Sequence, residues 1–251
     1  MELKEIIQHF LGNWEHADVV DGVLLTGSRS AGTHAENSDI DLQVLFSDDT
    51  LRERGNQIVD GYLVEYFANP TSMIEAYLRK ESEQFHRPTL RMFATGTIFM
   101  DKSGSLERAK MLAVELLKTP LPTMLEAEVE AAKYSIWDCR DDLLALYENN
   151  DPSFLYVYHL NLNKVLTLYS RFCGGELTSA SKQFRQMSDS RFREKYEISD
   201  YPDQLFQRLF CSCMTAQTYE DCFGHFSRLV EHALSAMGGF EIDGWRLSAK
   251  V

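Results

Sequence analysis

The sequence predicts an α/β half built on a mixed sheet with helices, followed by an all-α half that forms a helical bundle. Three observations carry this. Short apolar and aromatic runs alternate with helical patterns up to about residue 120. The segment KTPLPTM, residues 118–124, then interrupts the pattern with two prolines. Beyond it strand-like runs vanish and only helical periodicity remains. The expected domains are residues 1–120 and 121–251.

In order along the chain, residues 2–16 read as an amphipathic helix, with Ile6, Ile7, Phe10, Leu11 and Trp14 on one face. A strand is expected over 22–26, then a loop rich in Gly, Ser and Thr, then a strand over 39–46. GYLVEYF, residues 61–67, is rich in aromatic and β-branched types and reads as a third strand. Ser72 and Glu75 make a capping-box pattern that opens a helix. GTIFM, residues 96–100, reads as a fourth strand, and KSGS turns the chain into a helix over 105–118. In the second half, Thr123 and Glu126 again suggest a capping box before a long helix to about 148. Further helices are expected over 153–172, 179–195, 202–213 and 216–237, with Gly174–Gly175 and Gly238–Gly239 as stops.

Bulk properties narrow the function. The chain has 251 residues, and 44% of them are hydrophobic, with 15 Phe and 11 Tyr, so it can bury a substantial core. Its formal charge of −13 opposes nucleic-acid binding, which needs Lys and Arg facing phosphates. The same charge suits a divalent metal or a cationic small molecule. No apolar run approaches the about 20 residues of a membrane span, no basic run suits an anionic membrane, and no signal peptide is visible. The five cysteines, at 139, 173, 211, 213 and 222, read as reduced thiols of a cytoplasmic protein. Cys211 and Cys213 lie two apart, so a helix points them in different directions.

The stretch LLTGSRSAGTHAENSDIDLQVLF, residues 24–46, holds the chemistry. Asp39 and Asp41 lie two apart at the mouth of a strand, so both face one side, while Ile40 and Leu42 face the core. Two like charges this close need a cation. Gly27 and Ser28 end the preceding strand at a tight turn, where Gly permits close backbone approach. If a short helix begins over 29–34, its first N–H groups favour an anion. One wall thus suits phosphate oxygens and the other a divalent metal, and a metal-bound nucleoside triphosphate fits both. Glu65, between Val64 and Tyr66, is costly in an apolar strand unless it faces a cleft, a partner or a metal. Three acids on neighbouring strands can hold two Mg²⁺ ions, one activating an attacking hydroxyl and one neutralising the leaving pyrophosphate.

Apolar strand, Gly27-Ser28, ten residues, then Asp39-Ile40-Asp41 resembles the polymerase-β-like nucleotidyltransferase superfamily. The variant looks most like the antibiotic nucleotidyltransferases that modify aminoglycosides or lincosamides. The motif covers about 20 residues, and the order of an α/β domain before a helical domain extends the resemblance over the chain. The resemblance implies that Ser28 contacts a triphosphate, with Gly27 at the same turn, and that Asp39 and Asp41 bind Mg²⁺. It further implies that Glu65 binds metal or acts as general base, and that adenylate passes from ATP to a hydroxyl. Arg29 could reach a phosphate. The family often sets a lysine of the helical domain against the triphosphate, for which Lys164 and Lys182 are the candidates. Asp101 stands as a fallback third acid.

Other readings stay open. Asp39 and Asp41 could merely border an exposed strand, Glu65 could be an exposed edge-strand acid, and Arg29, Lys164 and Lys182 could be solvated cations. His34 and Asn37 need no more than a turn role. Glu130, Tyr134, Trp137 and Asp141 share a face of YSIWDCRDDLL and its flank, with Asp138 adjacent. That face could recognise a cationic sugar or drug, with Asp138 or Asp141 as general base, or could be an amphipathic bundle face. A different class of function is a non-catalytic nucleotide sensor or a partner-binding module of the toxin–antitoxin kind. Arg228 and His232, four apart on one helical face, define a minor ribonuclease reading.

Overall fold

A computed structural model describes residues 2–30 and 38–248. It divides into two compact units, one of residues 1–120 with 195–197 and one of residues 121–194 with 198–251.

The first unit holds a five-stranded mixed sheet in the order β3-β4-β2-β1-β5. The strands are β1 (Val20–Thr26), β2 (Ile40–Phe46), β3 (Glu53–Val59), β4 (Tyr62–Pro70) and β5 (Thr97–Asp101). β2 and β4 pair in parallel, and the other pairs are antiparallel. The helices are α1 (Leu3–Asn13), the single turn α2 (Gly27–Ser30), α3 (Thr71–Ser82), α4 (Pro88–Thr95) and α5 (Ser105–Leu117).

Alternation along the strands divides the sheet into two apolar faces. On one, Ile40, Leu42, Val44, Phe46, Val64 and Tyr66 pack with Ile6, Ile7, Phe10 and Trp14 of α1. On the other, Leu24 and Leu45 pack with α3, α4 and α5 through Ile74, Leu78, Leu90, Phe93 and Leu106. Buried Arg87 ties this second layer together, donating to the carbonyls of Gln84, Leu116 and Thr119. Lys110 does the same past the end of α4, donating to the carbonyls of Ala94 and Gly96, each at 2.7 Å. Cations suit carbonyls left open at helix ends.

Three sequence expectations for this unit change. β3 was not foreseen, because ERGNQIV is an exposed edge strand with little apolar content. α4 was not foreseen either; it is short and starts at Pro88, directly after Arg87. The capping box at Ser72 and Glu75 does not form. α3 begins at Thr71 after Pro70, Ser72 donates to Asp49, and Glu75 pairs with Arg79.

The second unit is helical: α6 (Glu126–Glu148), α7 (Phe154–Cys173), α8 (Ala180–Ser188), α9 (Ser190–Lys195), α10 (Gln204–Thr215) and α11 (Tyr219–Ala236). Its core gathers Ile136, Leu143, Phe154, Leu166, Phe206, Phe226 and Val230. The expected helix over 179–195 is two, divided at Asp189, whose carboxylate receives the N–H groups of Arg191 and Phe192. At α6 the capping residue is Glu128, which receives the Leu125 N–H, rather than Thr123 with Glu126. Cys213 is buried and Cys211 only partly so, and all five thiols are free. Burial pushes the Cys139 thiol up to about 11 and that of Cys213 to about 12, so both stay protonated. Among the described residues, no helix is long and apolar enough to cross a membrane.

One polar network spans this core. Asp203 caps α10, its Oδ1 accepting from the N–H groups of Leu205 and Phe206, each at 2.9 Å. Its Oδ2 accepts from the Tyr169 hydroxyl at 2.5 Å and lies 2.7 Å from His232 Nε2. Burial pushes the Asp203 carboxyl up, but Tyr169, the Phe206 N–H and His232 outweigh it and hold it at about 2. The folded value lies below the ordinary 3.8, so the contribution to stability is full above pH 3.8 and is lost as pH falls through about 2. Asp203→Asn is therefore expected to cost about 2 kcal/mol near neutral pH in urea unfolding. The gap from wild type should close as the acid limit is approached.

Candidate functional site

Strand register assembles the candidate residues. Thr26 of β1 pairs with Asp41 of β2, and Asp41 pairs with Glu65 of β4. Directly paired residues share a face. Thr26, Asp41 and Glu65 therefore form one row on the face that carries α3, α4 and α5. The parallel pairing of β2 with β4 brings both carboxylates to the same end of the sheet. Asp39, exposed and two residues before Asp41, lies just outside β2, which begins at Ile40 rather than at 39.

Gly27 explains the turn beside this row. Its φ is +69°, a left-handed conformation that glycine adopts freely. A Cβ there would lie 2.0 Å from Asp41 Oδ2. The Asp41 carboxylate thus occupies the space that any other side chain at 27 would fill. The Thr26 hydroxyl reaches the Asp41 carbonyl at 3.3 Å. Arg29 Nε donates to the Ser38 carbonyl at 2.8 Å, and its guanidinium lies 5.2 Å from the Tyr62 ring centroid. Ser30 meets the Thr97 hydroxyl at 3.0 Å. The turn is thus tied to Ser38, ahead of β2, and to Thr97 of β5. The helix begins at Gly27 rather than Arg29 and spans only Gly27–Ser30 among the described residues. One turn carries little macrodipole, so individual N–H groups, not a helix end, are what it offers an anion. His34 and Asn37 lie outside the described residues.

Glu65 has a partner that sequence reasoning missed. Arg54 of β3 places its guanidinium 3.0 Å from Glu65 Oε1, and the same group lies 4.4 Å from the Phe67 ring centroid. Arg54 pairs in register with Phe67, so both stand on the row's face. Only recognition of the polar edge strand would have revealed it.

Asp101 does not join the row. It pairs with Gly22, four residues along β1 from Thr26, hence about 13 Å away. Its carboxylate instead receives the Glu107 N–H in the first turn of α5. Lys164 and Lys182 are exposed residues of α7 and α8, and Asp138 and Asp141 lie on α6, all in the second unit. On α6 the aromatic face is covered: Tyr134 stacks on Trp245 at 4.4 Å, and Trp137 lies 6.1 Å from Phe240. His232 is engaged by Asp203, as described above.

Among the described residues, the trio whose ligand atoms all fall within 4.8 Å of one another is Glu15, His16 and Glu53, not the predicted acids. It lies on the α1 side of the sheet. His16 Nε2 is 2.8 Å from Glu53 Oε2, and the Tyr66 hydroxyl donates to Glu53 across Gly55, where a Cβ would collide with the phenol. Burial raises the Glu53 carboxyl, but Tyr66 and His16 outweigh it and hold it below the usual range. Burial and Glu53 together push Tyr66 to about 12. These groups satisfy one another as a clasp between the edge strand and the end of α1. In the acid row, by contrast, Asp41 and Glu65 are paired in register, and carboxylate oxygens are the hard donors that Mg²⁺ takes.

Gly27→Ala tests the packing. It is expected to cost about 1–2 kcal/mol in urea unfolding for the left-handed backbone alone. It should also weaken Mn²⁺ binding at the row about tenfold by displacing Asp41. An alanine variant with unchanged stability and metal binding would show that Asp41 does not need this space.

The family model described as nucleotidyltransferase domain matches residues 2–94. No curated protein matches the chain. Among solved structures, the chain is similar to a nucleotidyltransferase-like protein from Exiguobacterium sibiricum, with 12% identity and a TM-score of 0.44, over 94% of this chain and 75% of that one. The matched segment, which carries Gly27, Ser28, Asp39, Asp41 and Glu65, is similar to a nucleotidyltransferase domain.

Proposed function

We propose that this protein transfers a nucleoside monophosphate, adenylate from ATP, to a hydroxyl of a small-molecule acceptor. The observation that supports it most is the direct pairing of Asp41 with Glu65, with Gly27 clearing space for Asp41, inside the segment that matches the domain. Asp39, Asp41 and Glu65 would hold the divalent cation, which when bound supplies charge neutralisation at the triphosphate and a lowered hydroxyl pKa. The backbone N–H and hydroxyl of Ser28 bind phosphate oxygens at the turn. Arg29, held by Ser38 and Tyr62, keeps that turn closed on the row. Glu65 takes the proton of the acceptor hydroxyl as its oxygen attacks the α-phosphorus and the bond from that phosphorus to the leaving pyrophosphate breaks. Most of the rate enhancement then comes from positioning and charge, as phosphoryl-type transfer needs little covalent help from protein.

The acceptor class is a cationic small molecule, in keeping with the formal charge of −13, and aminoglycosides and lincosamides are the first compounds to screen. Calorimetry with ATP and Mg²⁺ provides the test. Wild type should bind ATP only with the metal, and Asp39→Asn/Asp41→Asn should weaken binding about a hundredfold, near 2.7 kcal/mol. Metal-independent ATP binding that survives the double substitution would remove the proposal.

A further inference from the structure

Arg54 has no part in the function proposed above, yet its position is specific. Its guanidinium lies on the Phe67 ring and pairs with Glu65 Oε1. Glu65 stands directly beside Asp41 in the parallel register. Its side chain is 27% exposed, whereas that of Arg54 is 68% exposed. The cation is therefore the more solvated partner and the carboxylate the more enclosed one. Phe67 supplies a platform that holds the guanidinium on this face without a second anion. The predicted acids are not gathered within 4.8 Å of one another, and one oxygen of Glu65 is already drawn toward the edge strand.

We propose that Arg54 is the resident counter-cation of the acid row and sets the affinity of its metal. The inference rests on the nucleotidyltransferase reading. One carboxylate cannot serve a guanidinium and a divalent ion at full strength, because the positive charge of the first lowers the site's attraction for the second. Arg54 thus compensates Glu65 while the row lacks metal and yields Oε1 when metal enters. It acts through Glu65, as a positioning residue that tunes the metal requirement.

The experiment is a Mn²⁺ titration followed by electron paramagnetic resonance, with a non-hydrolysable ATP analogue, on the full chain. Arg54→Gln should tighten Mn²⁺ binding about three- to tenfold, the range spanned by an exposed ion pair backed by a cation–π contact. Arg54→Lys, which keeps the charge, should stay within about twofold of wild type. In a Glu65→Gln background the effect of Arg54→Gln should vanish, which a merely structural role for Arg54 would not produce. Unchanged or weaker Mn²⁺ binding in Arg54→Gln would overturn the proposal, as would persistence of the effect without Glu65. If Mn²⁺ binds and is lost in Asp41→Asn but ignores Arg54, only this inference fails. If wild type binds neither analogue nor Mn²⁺, the nucleotidyltransferase reading fails with it.

Discussion

The Asp41 carboxylate lies where a side chain at position 27 would be, and the rest of the candidate site depends on that contact. Only a glycine can stand there, on grounds of both space and a left-handed φ. Because it does, the turn after β1 can fold against the first residues of β2. Backbone N–H groups and a carboxylate then share one small region without the turn crowding out the acid. A phosphate-binding element and a metal-binding element need this juxtaposition if one ligand is to touch both.

The sheet supplies what one contact cannot. β1 and β2 are buried almost throughout, sandwiched between α1 and the layer of α3, α4 and α5. Their register is thereby fixed, because a one-residue slip would exchange the two faces. The parallel pairing of β2 with β4 adds Glu65 to the row, and the β3–β4 hairpin brings Arg54 beside it. Apolar burial thus sets backbone positions, and the polar groups at the strand ends inherit their geometry. The clasp of Tyr66, Glu53 and His16 uses the opposite face of the same edge strand. The same hairpin therefore carries two acids in different surroundings: one satisfied by a phenol and an imidazole, one paired with a guanidinium.

Much of this was legible in the sequence because it is local. Gly27, Ser28, Asp39 and Asp41 fall within one short stretch, and strand alternation alone sets Asp41 on the side opposite Ile40 and Leu42. Glu65 could be picked out as a lone acid in an aromatic strand. The α/β half and the helical half followed from periodicity and from the proline-rich segment between them. What escaped was what depends on partners distant in sequence. The polar, exposed pattern of β3 looks like a loop until β4 pairs with it, so Arg54 and Glu53 went unseen. Asp101 seemed eligible as a strand-end acid, but antiparallel pairing puts it at the far end of β1. The aromatic face of α6 suggested a ligand surface, whereas Phe240 and Trp245 of the same chain cover it.

The central claim is that the row of Asp41 and Glu65 is where metal and nucleotide meet. Anomalous diffraction from crystals grown with Mn²⁺ and a non-hydrolysable ATP analogue tests it most directly. The account predicts a manganese peak shared by the Asp41 and Glu65 carboxylates, with the triphosphate against the Gly27–Ser28 turn. A nucleotide ordered elsewhere, or manganese found only at Glu15, His16 and Glu53, would contradict it.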